Sequence, residues 1–96
     1  MSPKNKIKLK GIRIKLDKLD NKLLSLIKYR TTLVKEVLKL KEFKKEIVDQ
    51  KRINFILNKI KGKSNKLKID PKITNRIWKN MIWSYIDYER RNFKKK

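Results

Sequence analysis

Arg30 stands where an apolar side chain is expected. It interrupts the series Ile12, Leu16, Leu19, Leu23, Leu26, Arg30, Leu33, Val37 and Leu40, whose steps alternate between four and three residues. Its helical neighbours at three and four residues are Leu26, Ile27, Leu33 and Val34, and none of these offers a carboxylate. A guanidinium keeps its charge, so at a packed position it needs an anion from outside its own helix, either from a partner segment or from a bound ligand. Lys41 follows eleven residues later, almost three helical turns, and shares that face. Glu89 lies on the apolar side of a later helical stretch, with no cation three or four residues away. A buried carboxyl without a local partner tends to hold its proton and can then donate a hydrogen bond.

Each of these residues also has a plainer reading. Lys41 could be one solvated lysine among 24, its stem laid over apolar surface. Arg30 could form a buried ion pair between helices, and Glu89 could reach water at a helix margin. Arg13 has Asp17 four residues on, and Asp49 could serve only as a helix cap that pairs with Arg52. Trp78, Trp83, Tyr85 and Tyr88 read as packing groups rather than base-stacking platforms. Taken together, however, the pattern is several cations and one carboxyl facing a helical interior. A pocket of that kind would bind a small dianion and stabilise charge developing on an uncharged oxygen.

Composition narrows the chemistry. The chain has no Cys and no His, which removes disulfides, thiolate nucleophiles, zinc sites built on Cys or His, and imidazole acid–base work. No cofactor and no metal are expected. The formal charge is +21, which points to nucleic acid or an anionic membrane. Yet the 30 cations comprise 24 Lys and only 6 Arg, beside 13 Ile, 8 Asn and no Ala. That bias resembles AT-rich codon usage, which spreads Lys over every solvated face. Against such a background each Arg carries more information, because its planar fork grips carboxylates as Lys does not. No apolar run is long enough to span a membrane, and the start MSPKNKIKLK lacks the core of a secretory signal. A soluble cytoplasmic protein of one domain, residues 1–96, is expected.

The elements that must position these residues are helical. The first helix is expected from about Ile7 to about Lys44, roughly 55 Å at 1.5 Å per residue. A compact chain of this size has a radius of gyration near ~13 Å, so the rest of the chain cannot cover that helix. A second copy is the simplest partner. A break near residues 44–48 leads to Asp49 as the cap of a second helix, about Gln50 to Lys61, ended by Gly62. Residues 63–69 read as a polar loop. Asp70-Pro71 is a strong start signal for a third helix running to about Phe93.

The residues 12–41, IRIKLDKLDNKLLSLIKYRTTLVKEVLKLK, resemble the first helix of the AroQ-class, all-helical type II chorismate mutases. That helix reads R-x-x-[IL]-D-x-[IL]-D-x-x-[IL]-[IL]-x-L-[IL]-x-x-R with a Lys eleven residues on, and Arg13, Asp17, Asp20, Arg30 and Lys41 fall on its marked positions. Asp49 to Arg52 match the D-x-x-R of the family's second helix. Asp70-Pro71, the run Ile77-Trp78-x-x-Met81-Ile82, and Glu89 where the family has Gln or Glu match the third. The resemblance implies an all-α fold of three helices with a very long first helix, intertwined as a homodimer with two active sites. It implies conversion of chorismate to prephenate in Phe and Tyr synthesis on the shikimate pathway. Arg30 and Arg52, with Arg13 of the partner subunit, would clamp the two carboxylates of the substrate. Lys41 and a protonated Glu89 would donate to the ether oxygen, and Asp49 would help fix the ring hydroxyl through its backbone.

Two positions depart from the family pattern. Ile53 stands where the family has a Glu that contacts the ring hydroxyl, and Tyr85 stands where a small polar residue is frequent. Both are similar to the isochorismate pyruvate lyases of the same fold, and both would border the substrate. These two positions make a lyase that cleaves isochorismate to salicylate and pyruvate the first alternative; the charge of +21 makes a basic helical nucleic-acid-binding protein the second, which leaves Arg30 in its apolar stripe unexplained. A basic amphipathic membrane binder fits less well, since the stripes suit helix–helix packing.

Overall fold

A computed structural model describes residues 1–94. It contains three α-helices: α1 (Pro3–Leu40), α2 (Gln50–Lys66) and α3 (Pro71–Asn92). A single 3-10 turn, Lys44–Glu46, lies between α1 and α2. No strand occurs among the described residues, so the fold is all-α with a very long first helix.

The helix ends differ from the pattern-based expectation for local chemical reasons. Helix α1 begins four residues earlier, because the Ser2 hydroxyl accepts from the Asn5 N–H at 3.2 Å and Pro3 fills the first helical position. It also stops four residues earlier, at Leu40, where the Lys41 N–H turns back to the Leu38 carbonyl at 3.2 Å. Helix α2 begins where expected, with the Asp49 side chain accepting from the Arg52 N–H at 3.0 Å. It does not end at Gly62. It continues to Lys66, and no glycine takes a positive φ.

The stop signal of α2 is Lys68 instead, at φ 58°. The Ile69 N–H bonds the Ser64 carbonyl at 2.9 Å and the Lys68 N–H bonds the Asn65 carbonyl at 3.2 Å. That is the Schellman pattern, with lysine in the left-handed position that glycine usually takes. Helix α3 starts as expected, the Asp70 side chain accepting from the Lys72 N–H at 3.0 Å ahead of Pro71.

The chain divides into two compact units, Met1–Leu33 and the part from Val34 onward. The first consists of the leading part of α1 and has no buried residue. The second has a small core of Ile47, Ile53, Ile82 and Ile86, against which Val48, Ile56, Leu57 and Phe93 pack. Burying an isoleucine side chain contributes about 2–3 kcal/mol, so these four fix how α2, α3 and the connection before α2 pack together. The Ser64 and Thr74 hydroxyls lie 2.7 Å apart and pin the end of α2 to the start of α3.

Candidate active site

Helix α3 carries Glu89 inward. Ile82, Ile86 and Glu89 are spaced four and three residues apart, so the carboxyl continues the stripe that forms the core, and all three are buried. Lys41, the first residue beyond α1, meets it. The Lys41 Nζ donates to Glu89 Oε1 at 3.1 Å and to Oε2 at 3.2 Å, across 48 residues of sequence. The side chains are 18% and 7% exposed. Neither residue has an opposite charge three or four residues away, although the Lys41 ammonium also acts on the Glu46 carboxylate five residues on. Each is the partner the other lacked, and only the packing of the second unit brings them together.

Burying two charges costs solvation, which a close, doubly hydrogen-bonded pair offsets without large net gain. The pair leaves an ammonium donor fixed beside a carboxyl at the edge of a core, an arrangement that can present hydrogen bonds to an oxygen of a bound molecule.

Asp49 and Lys41 border one open hollow of about 500 Å³, together with Val37, Leu40, Glu46 and Val48. The Asp49 carboxylate is engaged as the α2 cap and its carbonyl accepts from the Ile53 N–H at 3.0 Å. The Arg52 side chain is exposed, its guanidinium 5.4 Å from the centre of the Phe55 ring. Tyr85 is half-buried one turn before Glu89. Ile53 belongs to the core, 6% exposed among Ile47, Ile82 and Ile86. An acidic side chain there would sit in an apolar cluster, so the residue type follows from packing in this chain.

In the first unit, Arg30 is half-buried and Arg13 is exposed on α1. Of the residues singled out in the sequence, the fold thus joins Lys41 directly to Glu89 and Asp49 directly to the Arg52 backbone.

One polar residue was not legible as important. The Glu46 carboxylate accepts from the Glu42 N–H at 2.7 Å and from the Phe43 N–H at 3.0 Å. These two bonds, Phe43 first, hold its pKa below the ordinary value of 4.5. The available signal was a Glu three residues after a break in a helix, the acidic half of a capping box.

Among the described residues no cluster of three or more acidic side chains could hold a metal ion, and no helix is long and apolar enough to cross a membrane. The chain is all-helical among its described residues, with the Lys41–Glu89 pair at the edge of its small core. The family described as chorismate mutase type II matches residues 12–90, and the chain belongs to that family. No curated protein and no solved structure matches it significantly.

Proposed function

We propose that this chain converts chorismate to prephenate, acting as a homodimer with two sites. The observation that carries this reading is the part-buried Lys41–Glu89 pair, two residues on family positions brought within 3.2 Å. Family membership over residues 12–90 supports the reaction class. The rearrangement is pericyclic and needs no nucleophile and no proton transfer, which suits a chain without His or Cys.

Catalysis then consists of holding the substrate in its reactive conformer and placing donors where charge develops. Arg30, Arg52 and Arg13 of the partner subunit clamp the two carboxylates. Lys41 donates to the ether oxygen as its C–O bond breaks, and the Glu89 carboxylate, which accepts two bonds from Lys41, orients that ammonium. Asp49 lies close to the ring hydroxyl through its backbone.

The apolar stripe of α1 supports the dimer. Ile12, Leu16, Leu19, Leu23 and Leu26 are between 48% and 63% exposed on the single chain. Their spacing suits helix packing, and a second copy of the same stripe is a matching cover.

A second reading keeps the fold and changes the substrate. Ile53 in the core leaves the ring hydroxyl without the acidic contact frequent in the family, and Tyr85 lies beside Glu89. Those features favour isochorismate, cleaved to salicylate and pyruvate.

The test is to incubate the purified protein with chorismate and identify the product. Prephenate is the expected result. Salicylate from isochorismate, with chorismate untouched, replaces the mutase by the lyase. Turnover of neither substrate overturns both.

A further inference from the structure

Helix α1 ends at Leu40, and α2 begins at Gln50. Lys41 therefore sits in the first position of a short connection, not within a rigid helix. A side chain aimed at a buried carboxylate from such a place requires the connection itself to be fixed. Two contacts fix it. Ile47 is anchored in the core at 4% exposure. Glu46, just before it, folds its carboxylate back so that one oxygen accepts both the Glu42 N–H at 2.7 Å and the Phe43 N–H at 3.0 Å. Its own N–H bonds the Phe43 carbonyl at 3.0 Å, which closes the turn in both directions.

The two amides gripped by Glu46 are those of the residues directly after Lys41. With the Lys41 N–H bonded to the Leu38 carbonyl, every backbone N–H from 41 to 43 is held. Glu46 and Lys41 also border the same hollow.

We propose that Glu46 is a positioning residue. Its carboxylate locks the 41–43 backbone and so sets the approach of the Lys41 ammonium to Glu89 and to the substrate's ether oxygen. The part concerning substrate rests on the mutase reading. The part concerning Lys41 does not. Glu46 acts through the backbone and touches no reacting atom. A small displacement of a donor in such a site lowers rate by one to two orders of magnitude while leaving ligand binding largely intact.

The experiment compares the full-length protein with Glu46→Ala and Glu46→Gln. Glutamine keeps an oxygen that can accept the two N–H groups and removes the charge. Glu46→Ala is expected to lower kcat about tenfold with KM within about twofold, and Glu46→Gln to restore most of kcat. Equal loss in both variants overturns positioning in favour of a direct charge effect, and loss in neither overturns any role.

A second measurement is independent of turnover. NMR relaxation of the Lys41 ε-methylene, with circular dichroism to confirm folding, is expected to show a more mobile side chain in Glu46→Ala only. An unchanged Lys41 overturns the inference whether or not chorismate is a substrate. A Lys41 that depends on Glu46, in a protein that turns over no chorismate, overturns the mutase reading alone.

Discussion

The two units of this chain handle their apolar residues in opposite ways. From Val34 onward, isoleucines from α2, α3 and the connection before α2 are removed from water. From Met1 to Leu33 not one residue is buried, although the helix there carries a regular apolar stripe. The first arrangement contains the reason for its own stability. The second does not, because an isolated helix gains little from propensity alone and depends on burying its apolar face. The residues proposed for the site divide along the same line. Lys41 and Glu89 meet within the second unit, whereas Arg13 and Arg30 lie on α1 in the first.

Substitutions can break or sharpen this contrast. The largest effect is expected for Arg30→Ala. Loss of one clamp on a substrate carboxylate lowers kcat/KM by about two to three orders of magnitude, with the helical circular dichroism unchanged. Survival of full activity removes Arg30 from the site.

Next come paired changes in the two units. Ile82→Ala opens the core and costs about 3 kcal/mol in urea denaturation. Leu23→Glu changes a side chain that is half-exposed on one chain, so a lone chain tolerates it. A dimer built on the stripe does not, and sedimentation is expected to show monomers. If the substituted protein keeps its mass in solution, the stripe is not the interface.

Glu89→Gln tests the ion pair within the second unit. The amide keeps one oxygen that can accept from Lys41 but loses the charge and the second acceptor, so kcat is expected to fall about tenfold. Unchanged kcat removes that role.

A smaller effect concerns the turn that carries Lys41. The Glu46 carboxylate has its pKa lowered by the N–H groups of Phe43 and Glu42. Its contribution is therefore fully present above pH 4.5 and is lost as pH falls through the lowered value. Protection of the Glu42 and Phe43 amides, measured against their intrinsic exchange rates, is expected to fall over that acid range, with the core amides unaffected.

The smallest effects test the end of α2. Gly62 lies inside the helix, and nothing comes within 4 Å of an added Cβ. Gly62→Ala should stabilise by about 0.5–1 kcal/mol. Lys68→Gly, relieving a left-handed lysine, should add a similar amount, about 1 kcal/mol. Loss of stability at Gly62→Ala would mean that this glycine marks the helix end after all.

Much of this protein was legible in its sequence. Three helices, the Asp49 and Asp70 caps and the Pro71 start follow from local chemistry, because a cap and its first turn lie within three or four residues. The three ordered motifs placed the chain in its family for the same reason, as each lies within one helix. What the sequence could not supply depended on contacts between distant residues. It placed Lys41 and Glu89 within helices and, through the family resemblance, beside one substrate oxygen, yet did not show that they pair with each other, since 48 residues separate them and only the packing of the helices closes that distance. It read Gly62 as a stop because glycine is the usual left-handed residue, whereas tertiary contacts at Ser64 and Thr74 carried α2 onward and left Lys68 to make the turn. Charge, periodicity and capping are properties of neighbouring residues and can be read along the chain. Which buried groups meet is decided only when the helices pack.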